Sequence, residues 1–542
     1  MGRRTRTLRV LAVALLLGTA AGTVGAAHAA DPPIDPGPTP KAQCGPGSRP
    51  ETSTQGRVPA SDVATGRAAQ GYTCNTELLS HYGRFGGFRV HRYVDTAGHD
   101  CAFYDSTLLF PTNTLTTPTK SPGAFVLDMA DPAHPVQTAT LTTPAMLSPH
   151  ESLNLNAKRG LLVADMGNPV TTVGWVDIYD VSQDCRHPML KSSTPLGILG
   201  HEGTFSPDGN TFWVSSTGGH TITALDISNP SLPAILWVGT KWVAHGMNVS
   251  DDGNRLYVAD IANFDPTAGL TILDVNQVQQ RKVNPQVPVV SHLSWPEVSI
   301  PQTAIPVTIG GHPYLVEVDE FARQVSSDPK MPVGAARIID IADDAQPRVV
   351  SNIRLEANMP SNRGGDERND PGASSSLQGY AAHYCAVPSR VEPGVVACSF
   401  ILSGMRLFDI RDPVHPREIA YANYPGTSAQ SSTPSAYAMS APAFDPGRGD
   451  IWYTDGNSGF YALHVTNGVW PFTTAGTAAA KPATVQAARA TAAPSPAPRS
   501  GAPAAAGAQL AVTGGSTPVG AAAAALAGGL ALLGVCRRLR TS

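Results

Sequence analysis

One phrase returns along the middle of this chain and limits what it can fold into. A short apolar strand ends in Asp, an apolar residue follows, and a turn containing Pro closes the phrase. The copies are AFVLDMADPAHP ending at Pro135, VDIYDVSQDCRHP ending at Pro188, TALDISNPSLP ending at Pro233, LTILDVNQ around Asp274, ARIIDIADDAQP ending at Pro347, MRLFDIRDPVHP ending at Pro416, and a degenerate FYALHVTNG around His464. Recurrence at roughly 45 to 70 residues marks a repeat architecture, here with about seven units. The aspartates in register are Asp128, Asp180, Asp226, Asp274, Asp340 and Asp409, with His464 taking the place in the last copy.

A second phrase lies upstream of most copies. HESLNLNAKRGLLVAD from His150, HEGTFSPDGNTFWVSS from His201 and HGMNVSDDGNRLYVAD from His245 each place a tight turn between two alternating apolar runs. Asp-Gly in that setting is a strong hairpin signal. Each period therefore holds about four short strands. Repeating such a unit about seven times predicts an all-β fold, a β-propeller of seven four-stranded blades, because radial closure removes the sheet edges a linear array would expose. The high Gly and Pro content agrees with a turn-dense, all-β chain.

The repeated phrases resemble the LVIVD-repeat family of bacterial surface propellers, whose pattern is aliphatic residues, Asp, an aliphatic residue, then Asp-Pro and a further Pro. Asp131-Pro132, Asn229-Pro230 and Asp412-Pro413 carry that turn best, and the likeness covers residues 80–466. Copies four and seven lack the turn. The resemblance implies the fold and little about activity.

Both ends read as processing signals. Arg3, Arg4, Arg6 and Arg9 precede an apolar run from Val10, and Ala27-His28-Ala29 supplies the small residues a signal peptidase needs, so residues 1–29 are expected to be a signal peptide cleaved after Ala29. Near the other end, Leu510-Ala511-Val512-Thr513-Gly514 is followed by an apolar stretch from Val519 to Val535 and by Arg537, Arg538 and Arg540. That order resembles a sortase sorting signal of the LAxTG form used by class E sortases. The apolar segment stalls in the bilayer, the arginines hold its end in the cytoplasm, and the pentapeptide waits outside. The resemblance implies attachment of Thr513 to peptidoglycan by a sortase; the same segment left uncleaved would be a membrane tail anchor. The expected organisation is thus signal peptide 1–29, N-terminal extension 30–79, propeller 80–472, a disordered Ala/Pro/Thr-rich stalk 473–509, and a transmembrane sorting segment 510–542.

Six of the seven cysteines, all but Cys536, precede the sorting segment, and an even number outside the membrane suits disulfides. Cys385 and Cys398 flank a hairpin turn and are expected to pair. Spacing leaves the connectivity of Cys44, Cys74, Cys101 and Cys185 open. The chain has no CxxC spacing to suit a thiolate metal site. A net charge of −4 gives no reason to expect nucleic acid as a partner.

If the hairpin phrase supplies the inner strand of each blade, His150, His201, His245 and His383 begin inner strands on one face, beside the central channel. The loop after strand two reaches the same face and carries Asp165, Asp260, Asp319 and Asp455; Glu151, Glu202, Glu317 and Glu320 are near in sequence. Imidazoles and carboxylates converging from different blades suit a divalent metal, with His150, His201, His245, His383, Glu202 and Asp260 as the candidate set. The same groups equally suit ordinary turn chemistry. Two polar insertions, 321–333 and 358–378, fall on that face too. No nucleophile elbow, phosphate loop, HExxH or dinucleotide fingerprint is present. Two functions follow as expectations. One is a surface module binding an extracellular protein or carbohydrate; the other is a metal-dependent extracellular hydrolase or oxidase with Glu202 as base.

Overall fold

The computed structural model describes residues 37–106, 123–166, 174–262, 267–322, 328–370, 378–425, 436–456 and 458–472. The signal peptide, the stalk, the LAVTG pentapeptide and the segment after it lie outside these residues. Among the described residues no helix is long and apolar enough to cross a membrane.

Seven antiparallel sheets form a β-propeller, as the repeat predicts. Blade I holds β3 (Val90–Val94), β4 (Asp100–Asp105), β5 (Ala124–Asp128) and β6 (Val136–Leu141). Blade II holds β7 (Asn154–Asn156) to β10 (Met189–Ile198), blade III β11 (Gly203–Phe205) to β14 (Ala234–Gly239), and blade IV β15 (Ala244–Val249) to β18 (Val289–Leu293). Blade V runs from β19 (Ile300–Ile309) through β20 (His312–Glu320) to β22 (Arg348–Ile353), and blade VI from β23 (Ala382–Ala386) through β24 (Val395–Phe400) to β26 (Arg417–Asn423). Blade VII combines β27 (Ala443–Asp445), β28 (Asp450–Asp455) and β29 (Gly459–Val465) with β2 (Thr76–Tyr82) from the N-terminal side.

The chain therefore enters the ring at Thr76, slightly ahead of the boundary at residue 80 read from the repeat, and closes the circle by lending the last blade its outer strand. Blade VI carries a fifth strand, since β1 (Tyr72–Cys74) pairs with β26. The N-terminal extension is stitched down by the Cys44–Cys74 disulfide and by a buried Arg406 that bonds both Glu51 and Glu418. Cys101–Cys185 ties blade I to the turn after β9 (Gly174–Asp180), and Cys385–Cys398 staples the β23–β24 hairpin as expected. Three disulfides belong to an oxidising compartment and agree with an exported protein.

The repeat turns have a local cause. Asp128, Asp180, Asp226, Asp274, Asp340 and Asp409 each accept the backbone N–H two residues on, at 2.9–3.1 Å, so the aspartate ends its strand and starts the turn. His464, which takes the aspartate's place in blade VII, pairs instead with Asp450 through Nδ1 at 2.8 Å. Gly209 and Gly253 of the two Asp-Gly turns adopt φ of +71° and +77°, which a side chain resists.

The turn also joins neighbouring blades. Ser80, Ser192 and Ser351 on outer strands donate to the carbonyls of Pro132, Pro230 and Pro413 in the next blade, at 2.6–2.7 Å, and Ser291 donates to the carbonyl of Asp344 at 2.6 Å. Each of these serines follows a β-bulge, which re-aims a side chain out of the ladder. Apolar faces fill the rest of each blade junction: Trp213, Ile222 and Ala224 of blade III, for instance, pack with Met247, Val258 and Leu273 of blade IV.

Candidate metal centre

Register brings three of the four histidines to one place. His201, His245 and His383 each stand two residues before Gly203, Met247 and Cys385, which pair with Val214, Val258 and Cys398 at matching depth in the second strands. Arg89 of blade I holds the same register, two residues before His91 opposite Phe103. His150 arrives from further upstream and reaches the axis with φ of +49°, a left-handed conformation uncommon outside glycine. Glu151 and Glu202 then form a parallel bridge between adjoining inner strands.

All four imidazoles present Nε2 to the carboxylate of Glu151. His201 and His245 lie 3.2 and 3.3 Å from Oε2; His383 and His150 lie 3.3 and 3.8 Å from Oε1. Glu320, at the end of β20, adds a second carboxylate 3.5 Å from His245 and 3.0 Å from His383. Exposure of the four histidines runs from 0 to 7 %, so the cluster is withdrawn from solvent. Every blade takes part: II, III, IV and VI give the histidines, V gives Gln302 and Glu320, I gives Phe88 and Arg89, and VII gives a carbonyl.

The second nitrogens are fixed. Nδ1 of His245 is 2.8 Å from the carbonyl of Pro301 and Nδ1 of His383 is 2.8 Å from that of Met439. A carbonyl partner requires N–H at Nδ1, which directs Nε2 at the axis, the orientation in which metal-binding imidazoles are held; a metal ion there would take the place of the Nε2 proton. Phe88 packs against His150 and His383 with ring centroids 4.6 and 5.3 Å away, and Phe321 against His383 at 5.5 Å.

Electrostatics divide the histidines. Burial, aided by its histidine neighbours, lowers His150 to about 3 and keeps it neutral. Burial also opposes charge on His245 and His383, but Glu320 and Glu151 outweigh it and lift both to about 9. Glu151 lies well below the usual carboxylate range: burial raises it, and His150 with the three neighbouring imidazoles overcomes that.

The residues fit a metal ion. Two donors each about 2.1 Å from one ion, at tetrahedral or octahedral angles, stand about 3.0–3.4 Å apart, and the closest nitrogen–oxygen separations here span 3.0–3.5 Å. Donor atoms of His150, Glu151 and His201, and those of Glu151, His245 and Glu320, fall within 4.8 Å of one another. Nε2 of His383 is completely buried and faces carboxylate oxygens of both Glu151 and Glu320, at 3.3 and 3.0 Å, so a cation placed between them would meet one nitrogen and two anionic oxygens.

The remaining expected residues sort clearly. Glu202 is turned from the histidines toward Arg89 (2.6 Å) and the Tyr384 hydroxyl (2.9 Å). It fits only because residue 246 is glycine: a Cβ there would meet Glu202 Oε2 at 2.1 Å. Asp260 is not with the cluster; it accepts the Ala262 N–H and the Thr271 hydroxyl in a turn. Asp319 holds Trp295, Ser299 and Arg337, Asp455 accepts the Tyr437 N–H, and Glu317 pairs with buried Arg337. Asp165 is fully buried, and among the described residues neither carboxyl oxygen has a hydrogen-bond partner. The two insertions touch, as Arg363 donates to the carbonyls of Asp328 and Pro329; residues 323–327 and 371–377 lie outside the described residues. Sequence reasoning missed Arg89, Gln302 and Tyr384 and placed Glu151 only nearby. The His-Glu doublets at 150 and 201 were the available signal.

No family model and no curated protein matches the chain. Solved structures similar to it include the periplasmic gluconolactonase of Pseudomonas aeruginosa, at 13 % identity over 63 % of this chain and 87 % of that one, with a TM-score of 0.44. Hydrazine synthase of Kuenenia stuttgartiensis is similar at 11 % identity over 70 % and 94 % of the two chains, with a TM-score of 0.43. Identities this low speak to no shared chemistry.

Proposed function

We propose that this protein is an exported metalloenzyme, an oxidase whose redox-active ion sits on the propeller axis between His150, His201, His245 and His383, with Glu151 as the anionic ligand. The observation that carries this is the convergence of four buried Nε2 atoms on one carboxylate. Burying so many ionisable groups is costly unless they are paired or coordinate a metal. Imidazole sets suit copper, iron and zinc. The carboxylates that touch the cluster are engaged, Glu202 by Arg89 and Tyr384 and Glu320 by two histidines. That engagement favours oxidation over hydrolysis.

The proposal is tested by adding copper(II) or iron(II) to the purified protein and following absorption and oxygen uptake with small organic reductants. Saturable binding in the wild type, lost in a folded His245→Ala/His383→Ala variant, supports it. Equal binding by the variant excludes the axial site.

For location, we propose that a sortase links Thr513 of the LAVTG pentapeptide to peptidoglycan and that the LVIVD-like propeller stands off the wall on its stalk. Thr513→Ala should move the protein from the wall fraction to the membrane fraction; an unchanged wall fraction rejects sortase attachment.

A further inference from the structure

Tyr384 is completely buried and follows the ligand His383 directly in the chain. Its ring meets the His383 imidazole edge to face, with centroids 4.9 Å apart. Its hydroxyl donates to Glu202 Oε2 at 2.9 Å and accepts from Gln302 Nε2 at 2.6 Å, and that same Gln302 nitrogen donates to Glu151 Oε2 at 2.7 Å. Arg89 lies over the ring, 4.4 Å from its centroid, and forms the 2.6 Å ion pair with Glu202. A tyrosine that only filled space would need one hydrogen-bond partner. This one has a carboxylate acceptor aligned on its O–H and a direct path, through one side chain, to the anion at the metal site.

We propose that Tyr384 is a redox relay, giving one electron to the oxidised axial ion and its proton to Glu202. The inference rests on the reading of the histidine cluster as a metal centre. In the step the phenol O–H bond breaks; the proton passes along the existing hydrogen bond to Glu202 Oε2, and the electron reduces the ion by one oxidation state. The products are a phenoxyl radical on Tyr384 and a neutral carboxyl on Glu202. Hydrogen peroxide from solution is the co-reactant: one peroxide and two protons become two waters as it takes one electron from each of two reduced ions, restoring their higher state. Glu202 is the acceptor because its Oε2 lies on the phenol O–H while Arg89 pairs with it at 2.6 Å, and burial shields the radical from solvent.

The test uses the full, untagged protein loaded with copper or iron, mixed with hydrogen peroxide, frozen, and examined by electron paramagnetic resonance, with metal content measured on the same samples. The expected result is a tyrosyl signal in the wild type, its loss in Tyr384→Phe at unchanged metal content, and a diminished signal in Glu202→Gln, which keeps the side-chain volume but removes the proton acceptor. Thermal melting checks that both variants are folded. A metal-loaded wild type without the radical, or a radical that survives Tyr384→Phe, overturns the relay and leaves the metal centre standing. A wild type that takes up no metal has no electron acceptor and overturns both.

Discussion

Nε2 of His245 lies 3.3 Å from Oε2 of Glu151, although the two residues come from blades IV and II with a whole blade between them. Only a closed ring brings such positions together, and Gln302 of blade V steadies the pair by donating to the same carboxylate oxygen. Groups that orient a metal ligand typically contribute 10- to 100-fold in affinity. Gln302→Ala is accordingly expected to weaken metal binding by about 10- to 100-fold, and, because Gln302 is fully buried, to cost about 1–3 kcal/mol of stability in the metal-free protein. Isothermal titration with copper(II) or iron(II) measures it; unchanged affinity would show that Glu151 needs no support.

Asp105 sets a pH dependence apart from the metal. Its carboxyl is fully buried, accepts the N–H groups of Phe88 and Arg89 through Oδ1 alone, and is pushed up to about 7 by burial. A folded-state value raised above the ordinary 3.8 means that the native state holds the proton longer than the unfolded chain does. Stability should fall as pH rises from about 4 to about 7 and level off above that. Asp105→Asn keeps the acceptor oxygen and removes the titration, so its denaturation midpoint should vary less over this window. An identical slope in the variant would assign the pH dependence elsewhere.

The serine latches explain why the Pro-bearing turn recurs. Ser351→Ala removes one hydrogen bond between blades V and VI and should cost about 1 kcal/mol in denaturant unfolding. Ser80→Ala weakens the junction where the ring closes and should cost a similar amount. No loss at either position would mean that the turn is retained for its own conformation and not for the contact.

Much of the fold was legible because the periodic aspartate and the Asp-Gly hairpins act locally: each signals within a few residues what its own strand does. His150, His201 and His245 were legible for the same reason, as they begin a recognisable phrase, and His383 because it stands at the start of an inner strand. Tyr384 and Gln302 carry no such mark, because their role depends on the ring bringing blades V and VI against blades II and III. Glu202 was expected beside the ion. The structure turns it aside because Arg89, distant in sequence, offers a stronger partner and Gly246 leaves it room. Asp260 shares its strand-end place with Asp105, Asp319 and Asp455, and local turn or loop contacts decide each one's partners.

Removing disulfides should separate long-range from local stapling. Cys101–Cys185 closes a sequence separation of 84, and Cys385–Cys398 one of only 13. Loop-closure entropy makes the first the larger contributor. Cys101→Ser/Cys185→Ser is expected to cost about 2–5 kcal/mol, and the hairpin pair less, by chemical denaturation. A hairpin pair that cost more would point to packing at Cys385 and Cys398 as the main term.

Elemental analysis of the untagged protein, purified from an oxidising compartment and compared with His201→Ala/His245→Ala, bears on the metal centre most directly. The expected result is one equivalent of copper or iron per chain in the wild type and none in the still-folded variant. A wild type that holds no transition metal, even after incubation with copper(II), iron(II) or zinc(II), would contradict the axial centre and leave the four histidines as partners of Glu151 and Glu320.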